Sequence, residues 1–301
     1  MKTTKKAKPK ITTSQSRMKK SAHRYEIVTS PSAAEDFQRA ILHWDGLARK
    51  RAENGNTIGI LGEKSMHSIL KSYITTDDTA YEIPIRSVKD ERADRKFVAD
   101  ILLDGQIYEI QTGGFYPLIP KLRYYLDESR YDVTVVHPVP AVRYKSWIDP
   151  ESGEVVERKK SATRGRAEDA LKELFWIREF LSSPRLHVKL LFLEEEEYRY
   201  LDGWSRDKKR GSNRCERVPI ALLGSVDLRS PSDYLGFLMP ELPREFVASE
   251  LGALFGFRGK TVYSALKVFL SLGIFEEIGR RGRSTLYRRT DIREDEPSPT
   301  E

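Results

Sequence analysis

Apolar residues in the first part of the chain recur at the 3.6-residue spacing that is typical of helices. Between residues 32 and 54 the apolar positions at this spacing are Phe37, Ile41, Trp44 and Leu47. A second helix is predicted from Glu63 to Ile74, with an apolar stripe of Met66, Ile69, Leu70 and Tyr73. Two helices therefore precede the first predicted strand.

Shorter apolar runs separated by turn residues predict a sheet in the middle of the chain. Strands or hairpins are predicted over residues 81–88, 96–111, 131–139, 147–158, 186–194 and 218–228. Helices are predicted over residues 117–129 and 167–181, and a charged loop over residues 202–217. The acidic run 194–197 is interpreted as a solvated strand end. Strands mixed with helices indicate an α/β fold.

Two acidic residues interrupt the predicted hairpin at residues 96–111. Asp100 lies in an apolar strand, and Glu109 lies in the strand that follows the turn at Asp104 and Gly105. A carboxylate buried among apolar side chains is costly unless a partner compensates its charge. Because a divalent cation is a common partner of two such acids, the hairpin is a candidate metal site.

The C-terminal part of the chain returns to helical spacing and ends in a second hairpin. Helices are predicted over residues 231–239, 244–255 and 258–272, and strands over residues 274–278 and 285–289. The glycine-rich connection between these strands carries Arg280, Arg281 and Arg283. The residues after Arg293 are acidic and rich in Pro and Ser, which predicts a disordered tail.

The net charge of +7 comes from one end of the chain. Residues 1–24 contain nine Lys and Arg and no acid, so the remainder is slightly negative. We expect this N-terminal stretch to be disordered. It either adds nonspecific phosphate affinity or acts as a solubilising arm.

The composition excludes several classes of protein. No apolar run is long enough to span a membrane, and no apolar segment follows the first basic residues as in a secretory signal. The single cysteine, Cys215, excludes a disulfide framework and a cysteine zinc cluster. These features predict a cytoplasmic protein without a membrane partner.

The acids occur in an order that resembles the PD-(D/E)XK, or restriction-endonuclease-like, nuclease superfamily. The segments that carry the resemblance are Gly62-Glu63-Lys64-Ser65-Met66-His67, Ala99-Asp100-Ile101 and Tyr108-Glu109-Ile110-Gln111-Thr112. It covers about residues 57–140 and depends on element order and four positions. It implies a mixed sheet flanked by helices, with the acids gathered at one edge of the sheet.

The resemblance implies metal-assisted phosphodiester hydrolysis. Asp100, Glu109 and the carbonyl oxygen of Ile110 would hold Mg²⁺ or Mn²⁺, and Glu63 would bind directly or through water. These are the hard oxygen ligands that both ions prefer. The metal would lower the pKa of a bound water and stabilise charge on the phosphate oxygens.

The chain departs from the superfamily pattern at Gln111, which stands where a lysine is usual. A glutamine can orient a water molecule but supplies no positive charge. Some branches of the superfamily carry Glu-x-Gln here, and we predict that Lys121, on the following helix, returns an ammonium group to the site. His67 is interpreted as a packing residue or a support for a ligand.

Basic residues crowd the segment that follows the motif, and Tyr144 and Trp147 lie among them. Such a mixture suits phosphate contact with base stacking, although a solvated hairpin is the alternative for any single residue. The loop Thr112-Gly113-Gly114-Phe115 offers backbone amides to a phosphate. The predicted nucleic-acid-binding residues of the ribbon and its continuation are Arg143, Lys145, Arg158, Lys159, Lys160, Arg164 and Arg166.

Residues 231–290 resemble a winged-helix domain, because three helices precede a hairpin with a basic tip. The resemblance implies that the first turn of the third helix enters the DNA major groove, with Arg258, Lys260, Thr261 and Ser264 exposed. The wing arginines Arg280, Arg281 and Arg283 would contact phosphates or the minor groove. Docking of a protein partner is the alternative.

These patterns predict four regions: a basic tail (1–30), a nuclease-like α/β domain (31–228), a winged helix-turn-helix domain (229–290) and an acidic tail (291–301). Two functions fit them. One is a Mg²⁺- or Mn²⁺-dependent endonuclease brought to DNA by its winged helix. The other is a noncatalytic DNA-binding transcriptional regulator that keeps the nuclease fold as a scaffold. DNA is the expected partner of both, and a homodimer is one candidate assembly.

Overall fold

The computed structural model describes residues 29–53, 65–89, 97–203, 212–238 and 242–290. Residues 1–28 of the predicted basic tail, the acidic tail and Glu63 lie outside these residues, as do residues 204–211 of the charged loop predicted at 202–217. The side chains of residues 47–53, 213 and 215 are also outside the description.

The described chain contains both helices and strands. The helices are α1 (Pro31–Glu53), α2 (Ser65–Ile74), α3 (Ile119–Glu128), α4 (Leu171–Leu174), α5 (Ala248–Phe255) and α6 (Lys260–Ser271). The strands are β1 (Tyr81–Ile85), β2 (Phe97–Leu103), β3 (Gln106–Ile110), β4 (Asp132–Ile148), β5 (Val155–Lys160), β6 (Leu186–Tyr200), β7 (Asn213–Leu228), β8 (Glu245–Val247), β9 (Phe275–Arg281) and β10 (Ser284–Arg289). The mixed α/β class predicted from the sequence is confirmed.

The large sheet is mixed, with strand order β1-β2-β3-β4-β6-β7, and β5 pairs with β4. The pairs β1–β2 and β2–β3 are antiparallel, whereas β4 is parallel to both β3 and β6. Parallel neighbours need a crossover connection, and α3 provides it between β3 and β4. The last strand, β7, returns antiparallel to β6.

The hairpin of β2 and β3 forms where the sequence predicts it. Asp104 and Gly105 both have positive φ angles, of 49° and 78°. Such angles at both central positions give the tight turn whose twist matches that of the flanking strands. Asp104 is therefore a turn residue, as predicted, and the turn fixes the register of the acids on either side of it.

Several predicted boundaries are wrong, and the largest error concerns strand length. Strand β4 continues nine residues past the predicted end at Val139, although Pro138 and Pro140 follow one another closely. A register shift between Pro140 and Val142 accommodates the missing proline donors. Residues 213–217, predicted as loop, belong to β7, and β6 reaches Tyr200.

The helix predicted over residues 167–181 is a series of short turns. Residues 167–170 and 175–177 are 3₁₀ turns on either side of the four-residue α4. A 3₁₀ turn also brings residues i and i+3 to one face, so the apolar spacing did not distinguish the two structures.

The C-terminal unit combines a three-stranded sheet, in the order β8-β10-β9, with two helices. The predicted helix at 244–255 begins only at Ala248, because Glu245–Val247 pairs with β10. Glu250 marks this start, since its carboxylate accepts the Val247 N–H at 2.8 Å. Residues 231–237 form a 3₁₀ helix, and the predicted end at 239 lies outside the described residues.

Two apolar clusters hold the sheet. The smaller one joins α1 and α2 to the sheet through Phe37, Ile69 and Leu70. The larger one covers α3 and the turns at 167–181, and it continues without a break into the C-terminal unit at Phe246, Leu266 and Phe269. The boundary predicted at residue 228 coincides with the end of β7, but the apolar cluster crosses it.

No helix within the described ranges is long and apolar enough to cross a membrane.

Candidate functional site at the hairpin of β2 and β3

The two acids of the hairpin lie opposite each other. Ile101 pairs with Tyr108 and Leu102 with Ile107, so the antiparallel register sets Asp100 across from Glu109. Directly opposite residues of an antiparallel pair share one face of the sheet and have closely spaced side chains. The structure therefore brings together two of the three acids predicted to form the site.

Glu109 is almost fully buried, with 2% of its surface exposed. Lys121 Nζ donates to both carboxylate oxygens, at 2.8 and 3.0 Å, and the hydroxyl of Tyr125 donates to one of them at 2.9 Å. Burial raises the pKa of Glu109 to about 7, and the charge of Asp100 acts in the same direction. Lys121 and Tyr125 oppose this rise only in part.

Asp100 is held from two sides. Its Oδ2 atom accepts the backbone N–H of Ile110 at 2.7 Å and the Nε2 of His67 at 3.3 Å. Burial alone would raise the pKa of Asp100, but the hydrogen bonds and the charge of His67 leave this pKa below its ordinary value. Asp100 is thus an ionised acid opposite a neighbour that gives up its proton near neutral pH.

The supporting residues come from the two helices on either side of the hairpin. His67 on α2 was predicted to be a packing or supporting residue, and its hydrogen bond to Asp100 agrees with that interpretation. Lys121 on α3 reaches Glu109 as predicted. Tyr125 was missed, although its position four residues after Lys121 puts both on one helix face.

Gln111 has a different environment from the acids. Its side-chain Nε2 donates to the carbonyl oxygen of Gly114 at 2.5 Å, and its own carbonyl accepts Nδ1–H of His137 at 2.7 Å. Burial lowers the pKa of His137, so its ring is neutral. Gln111 therefore shapes the loop that follows β3.

The hairpin offers oxygen atoms of the kind that a divalent cation prefers. Asp100 and Glu109 offer carboxylate oxygens, and Ile110, the predicted carbonyl ligand, adjoins both. Glu63, the third predicted acid, lies outside the described residues. Within the ranges that the structure describes, no three His, Cys, Asp or Glu side chains are grouped closely enough to hold a metal. The described part thus supplies a fitting pair of hard ligands.

The acidic run 194–197 is largely buried, so its interpretation as a solvated strand end is wrong. Glu195, Glu196 and Glu197 are 2%, 7% and 3% exposed. Arg143 on β4 pairs with Glu195 at 2.5 Å, and Arg158 on β5 holds both oxygens of Glu196 at about 3 Å. This part of β6 lies between the end of the long β4 and the start of β7, and Arg158 reaches Glu196 from β5 on the far side of β4.

These ion pairs change the role of the predicted basic ribbon. Arg143 and Arg158 compensate buried acids, and Trp147, predicted to stack on bases, is only 7% exposed. Tyr144 is covered by Arg158, which lies 3.7 Å from its ring centre. Three of the other predicted ribbon residues also have partners: Lys159 pairs with Glu157, Lys160 contacts the Tyr144 ring, and Arg166 donates to the Phe255 carbonyl. Lys145 is half-buried on β4, and Arg164 is exposed.

The predicted DNA-contacting residues of the C-terminal unit are divided between exposed and engaged positions. Arg258 and Lys260 are exposed at the start of α6, whereas Thr261 and Ser264 are half-buried, and the Ser264 hydroxyl donates to the Lys260 carbonyl at 3.1 Å. These two hydroxyl residues are therefore less exposed than predicted.

The wing arginines are likewise divided between one ion-paired and two exposed side chains. Arg281 donates to both carboxylate oxygens of Glu250, at 2.9 and 3.1 Å. Arg280 and Arg283 are exposed, and neither forms an ion pair with another residue of the described ranges. Of the three wing arginines, these two are exposed and unpaired, so their guanidinium groups can contact a ligand.

The fold and the site together define a mixed α/β protein that carries an opposed pair of carboxylates on a hairpin next to a parallel crossover. Residues 64–229, more than half of the chain, match the family described as Domain of unknown function (DUF8091). The chain belongs to this family. No curated protein and no solved structure matches it significantly.

Proposed function

We propose that this protein is a Mg²⁺- or Mn²⁺-dependent DNA endonuclease that is brought to DNA by its C-terminal unit. The observation that carries the proposal is the opposition of Asp100 and Glu109 across the hairpin, with Lys121 hydrogen-bonded to Glu109. The buried Glu109 and the half-buried Asp100 would hold the metal of a metal-assisted phosphodiester hydrolysis, and the ammonium group of Lys121 would add positive charge for the phosphate.

The order of the surrounding elements supports the same activity. Helix α2 is followed by the antiparallel strands β1, β2 and β3, then by α3 and by β4 parallel to β3. This is the order expected from the resemblance to PD-(D/E)XK nucleases. The resemblance stays a proposal, because it depends on topology and a few side chains.

Each residue of the site has a separate task in this proposal. His67 and the Ile110 amide hold Asp100 ionised and fixed, while Tyr125 orients Glu109. A divalent cation held by the two acids would lower the pKa of a water and offset charge on the phosphate. Lys121 would supply the positive charge that Gln111 lacks.

The C-terminal unit has features of a winged helix, which supports DNA as the partner. Its two helices, α5 and α6, are followed by a hairpin that pairs with β8. Arg280 and Arg283 at the hairpin and Arg258 and Lys260 at the start of α6 are exposed cations. Such cations suit phosphate contacts that position a protein on DNA.

A noncatalytic DNA-binding regulator is the second candidate. The observation that favours it is the state of Gln111, whose side chain is bound to the Gly114 carbonyl. Lys121 also already offsets part of the charge of Glu109, so the fold tolerates this acid without a metal. In this case the buried pair would be a remnant within a scaffold.

Cleavage of supercoiled plasmid DNA with Mn²⁺ separates the two functions. We expect the wild-type protein to nick the plasmid, and Asp100→Asn to reduce the rate at least about 100-fold because an ionised metal ligand is lost. Asp127→Asn, an exposed acid on α3, is the matched control and should cleave normally. DNA binding without cleavage by the wild type would favour the regulator, and equal cleavage by both variants would contradict the site.

A further inference from the structure

A basic cleft opens beside the candidate site, with a volume of about 440 Å³. It lies between the middle of β4, the loop before Ala167 and the short turns that include α4, and Thr112 and Gly113 from the loop after Gln111 form part of its wall. Its volume falls within the roughly 300–1,000 Å³ that small-molecule sites occupy.

The wall of the cleft carries more cations than acids. Five basic side chains line it, against two acidic ones, Asp169 and Glu173. The basic residues are Arg143, Arg164, Arg166, Lys172 and Arg217. A concave surface with one excess sign of charge concentrates ligands of the opposite sign.

Two of the five cations have no acidic side chain within ion-pair distance in the described part of the chain. Arg143 is paired with Glu195, and Arg166 and Lys172 both lie within 4 Å of Asp169. Neither Arg164 nor Arg217 forms an ion pair within the described part of the chain.

Arg217 is unusual because it is also half-buried on β7. Burial lowers its pKa, and the neighbouring charges of Arg214 and Arg143 act in the same direction, against Glu195 and Glu197. An anion that enters the cleft would stabilise this partly desolvated guanidinium through charge-assisted hydrogen bonds.

The local backbone also fits a ligand in this place. Gly165 donates its N–H to the Pro140 carbonyl at 2.8 Å, and an added Cβ there would lie 3.0 Å from the same oxygen. This close approach fixes the loop that carries Arg164 against β4. The hydroxyls of Thr112 and Thr163 add neutral donors to the wall.

We propose that this cleft binds a phosphate monoester, carried either by the end of a nucleic-acid strand or by a free nucleotide. A monoester carries about −1.5 to −2 charges at neutral pH, which matches two unpaired guanidinium groups better than the single charge of an internal diester. The ligand chemistry depends on the cleft alone. Its link to a strand end rests on the proposed nuclease function.

The test measures binding of short oligonucleotides to the full-length protein in EDTA, so that no metal contributes. Four probes of one sequence are compared: a 5′-phosphorylated strand, a 3′-phosphorylated strand, an unphosphorylated strand and the free 5′-mononucleotide. We expect at least one phosphorylated strand or the mononucleotide to bind at least about tenfold more tightly than the unphosphorylated strand. Equal affinity for all strands, with no binding of the mononucleotide, would overturn the proposal.

Variants assign the preference to the cleft. Arg164→Gln and Arg217→Gln should each weaken binding of the preferred phosphorylated probe by about tenfold. Arg86→Gln changes an exposed arginine outside the cleft and should leave that affinity unchanged. Arg217→Lys, which retains the charge, should recover part of the preference and guards against a folding defect in Arg217→Gln. An unchanged preference in both glutamine variants would overturn the assignment.

The outcomes for this inference and for nuclease activity are separable. Tighter binding of a phosphorylated strand than of the mononucleotide assigns the strand end, and the reverse order assigns the free nucleotide. Asp100→Asn should keep the phosphate preference in EDTA. A preserved preference in a protein that never cleaves DNA would overturn the nuclease function alone.

Discussion

Two groups of carboxylates in the described part of the chain, one at the hairpin of β2 and β3 and one on β6, are compensated in different ways. Glu196 on β6 accepts bidentate hydrogen bonds from the Arg158 guanidinium and one from the Ser146 hydroxyl. These contacts lower the pKa of Glu196 although burial raises it. Glu109 receives one ammonium and one hydroxyl, and it faces Asp100. Its pKa is raised to about 7.

This difference separates a structural acid from a candidate ligand. An acid held by a guanidinium on both oxygens, as Glu196 is by Arg158, already has the cation it needs, so an added metal would gain little there. An acid whose pKa is raised next to a second carboxylate lacks positive charge, and a divalent cation supplies it. Perturbed acids of the second kind concentrate at functional sites, although ion-pair networks also shift pKa values.

The largest expected effect concerns the structural acids. Arg143→Met should lower the free energy of unfolding by about 3–5 kcal/mol, because it leaves the buried Glu195 without its cation. Chemical denaturation measures this change. The double variant Arg143→Met, Glu195→Leu should regain most of the loss, since an apolar pair tolerates burial. A single variant as stable as the wild type would remove the distinction between the two groups.

The pH dependence of stability should have opposite signs in the two groups. The folded protein keeps a proton on Glu109 up to about pH 7, whereas the unfolded chain releases it near 4.5. Glu109 therefore lowers stability as the pH rises from about 4.5 to about 7, by about 3 kcal/mol in all. Glu196 stabilises the fold above its unfolded pKa, and this contribution is lost as the pH falls through its lowered folded pKa.

Urea denaturation across this pH range measures both contributions. In Glu109→Gln the stability should fall less between pH 4.5 and 7 than in the wild type. In Glu196→Gln the stability lost on acidification below pH 4.5 should be smaller. Parallel profiles for the two variants would show that both acids have the same electrostatic environment.

Lys121→Met tests whether the cation beside Glu109 serves chemistry. We expect Mn²⁺-dependent cleavage to fall about 100-fold, or about 2.7 kcal/mol, because charge stabilisation of the phosphate is lost. The affinity for Mn²⁺ should stay or increase, since the ammonium no longer competes for the oxygens of Glu109. Lys189→Met, which removes an ammonium that likewise donates to both oxygens of an acid, Asp227, is the matched control. Unchanged cleavage would assign Lys121 to folding alone.

The smallest expected effect concerns the wing, where an arginine that is already ion-paired can be compared with two that are exposed and unpaired. Arg280→Gln and Arg283→Gln should each reduce the salt dependence of DNA binding, the slope of log affinity against log salt, by about 1. Arg281→Gln should leave that slope unchanged because Arg281 already pairs with Glu250. Fluorescence anisotropy at several salt concentrations measures the slopes. Equal slopes for all three variants would remove the wing from the interface.

The sequence predicted the hairpin of acids but not the second group. Asp100 and Glu109 lie nine residues apart across one turn, so local pattern was enough to pair them. Glu195 meets Arg143 only because β4 and β6 run side by side over their whole length, a contact between residues 52 positions apart. The prolines in β4 also hid the length of this strand from the pattern.

Mn²⁺ binding tests the central claim most directly. Calorimetric titration at pH 7 should show Mn²⁺ bound by the wild-type protein, with release of protons because Glu109 is partly protonated there. Glu196→Gln should bind equally, and Asp100→Asn should lose at least about tenfold in affinity. Equal Mn²⁺ affinity in the wild type and Asp100→Asn would contradict a metal site at the hairpin.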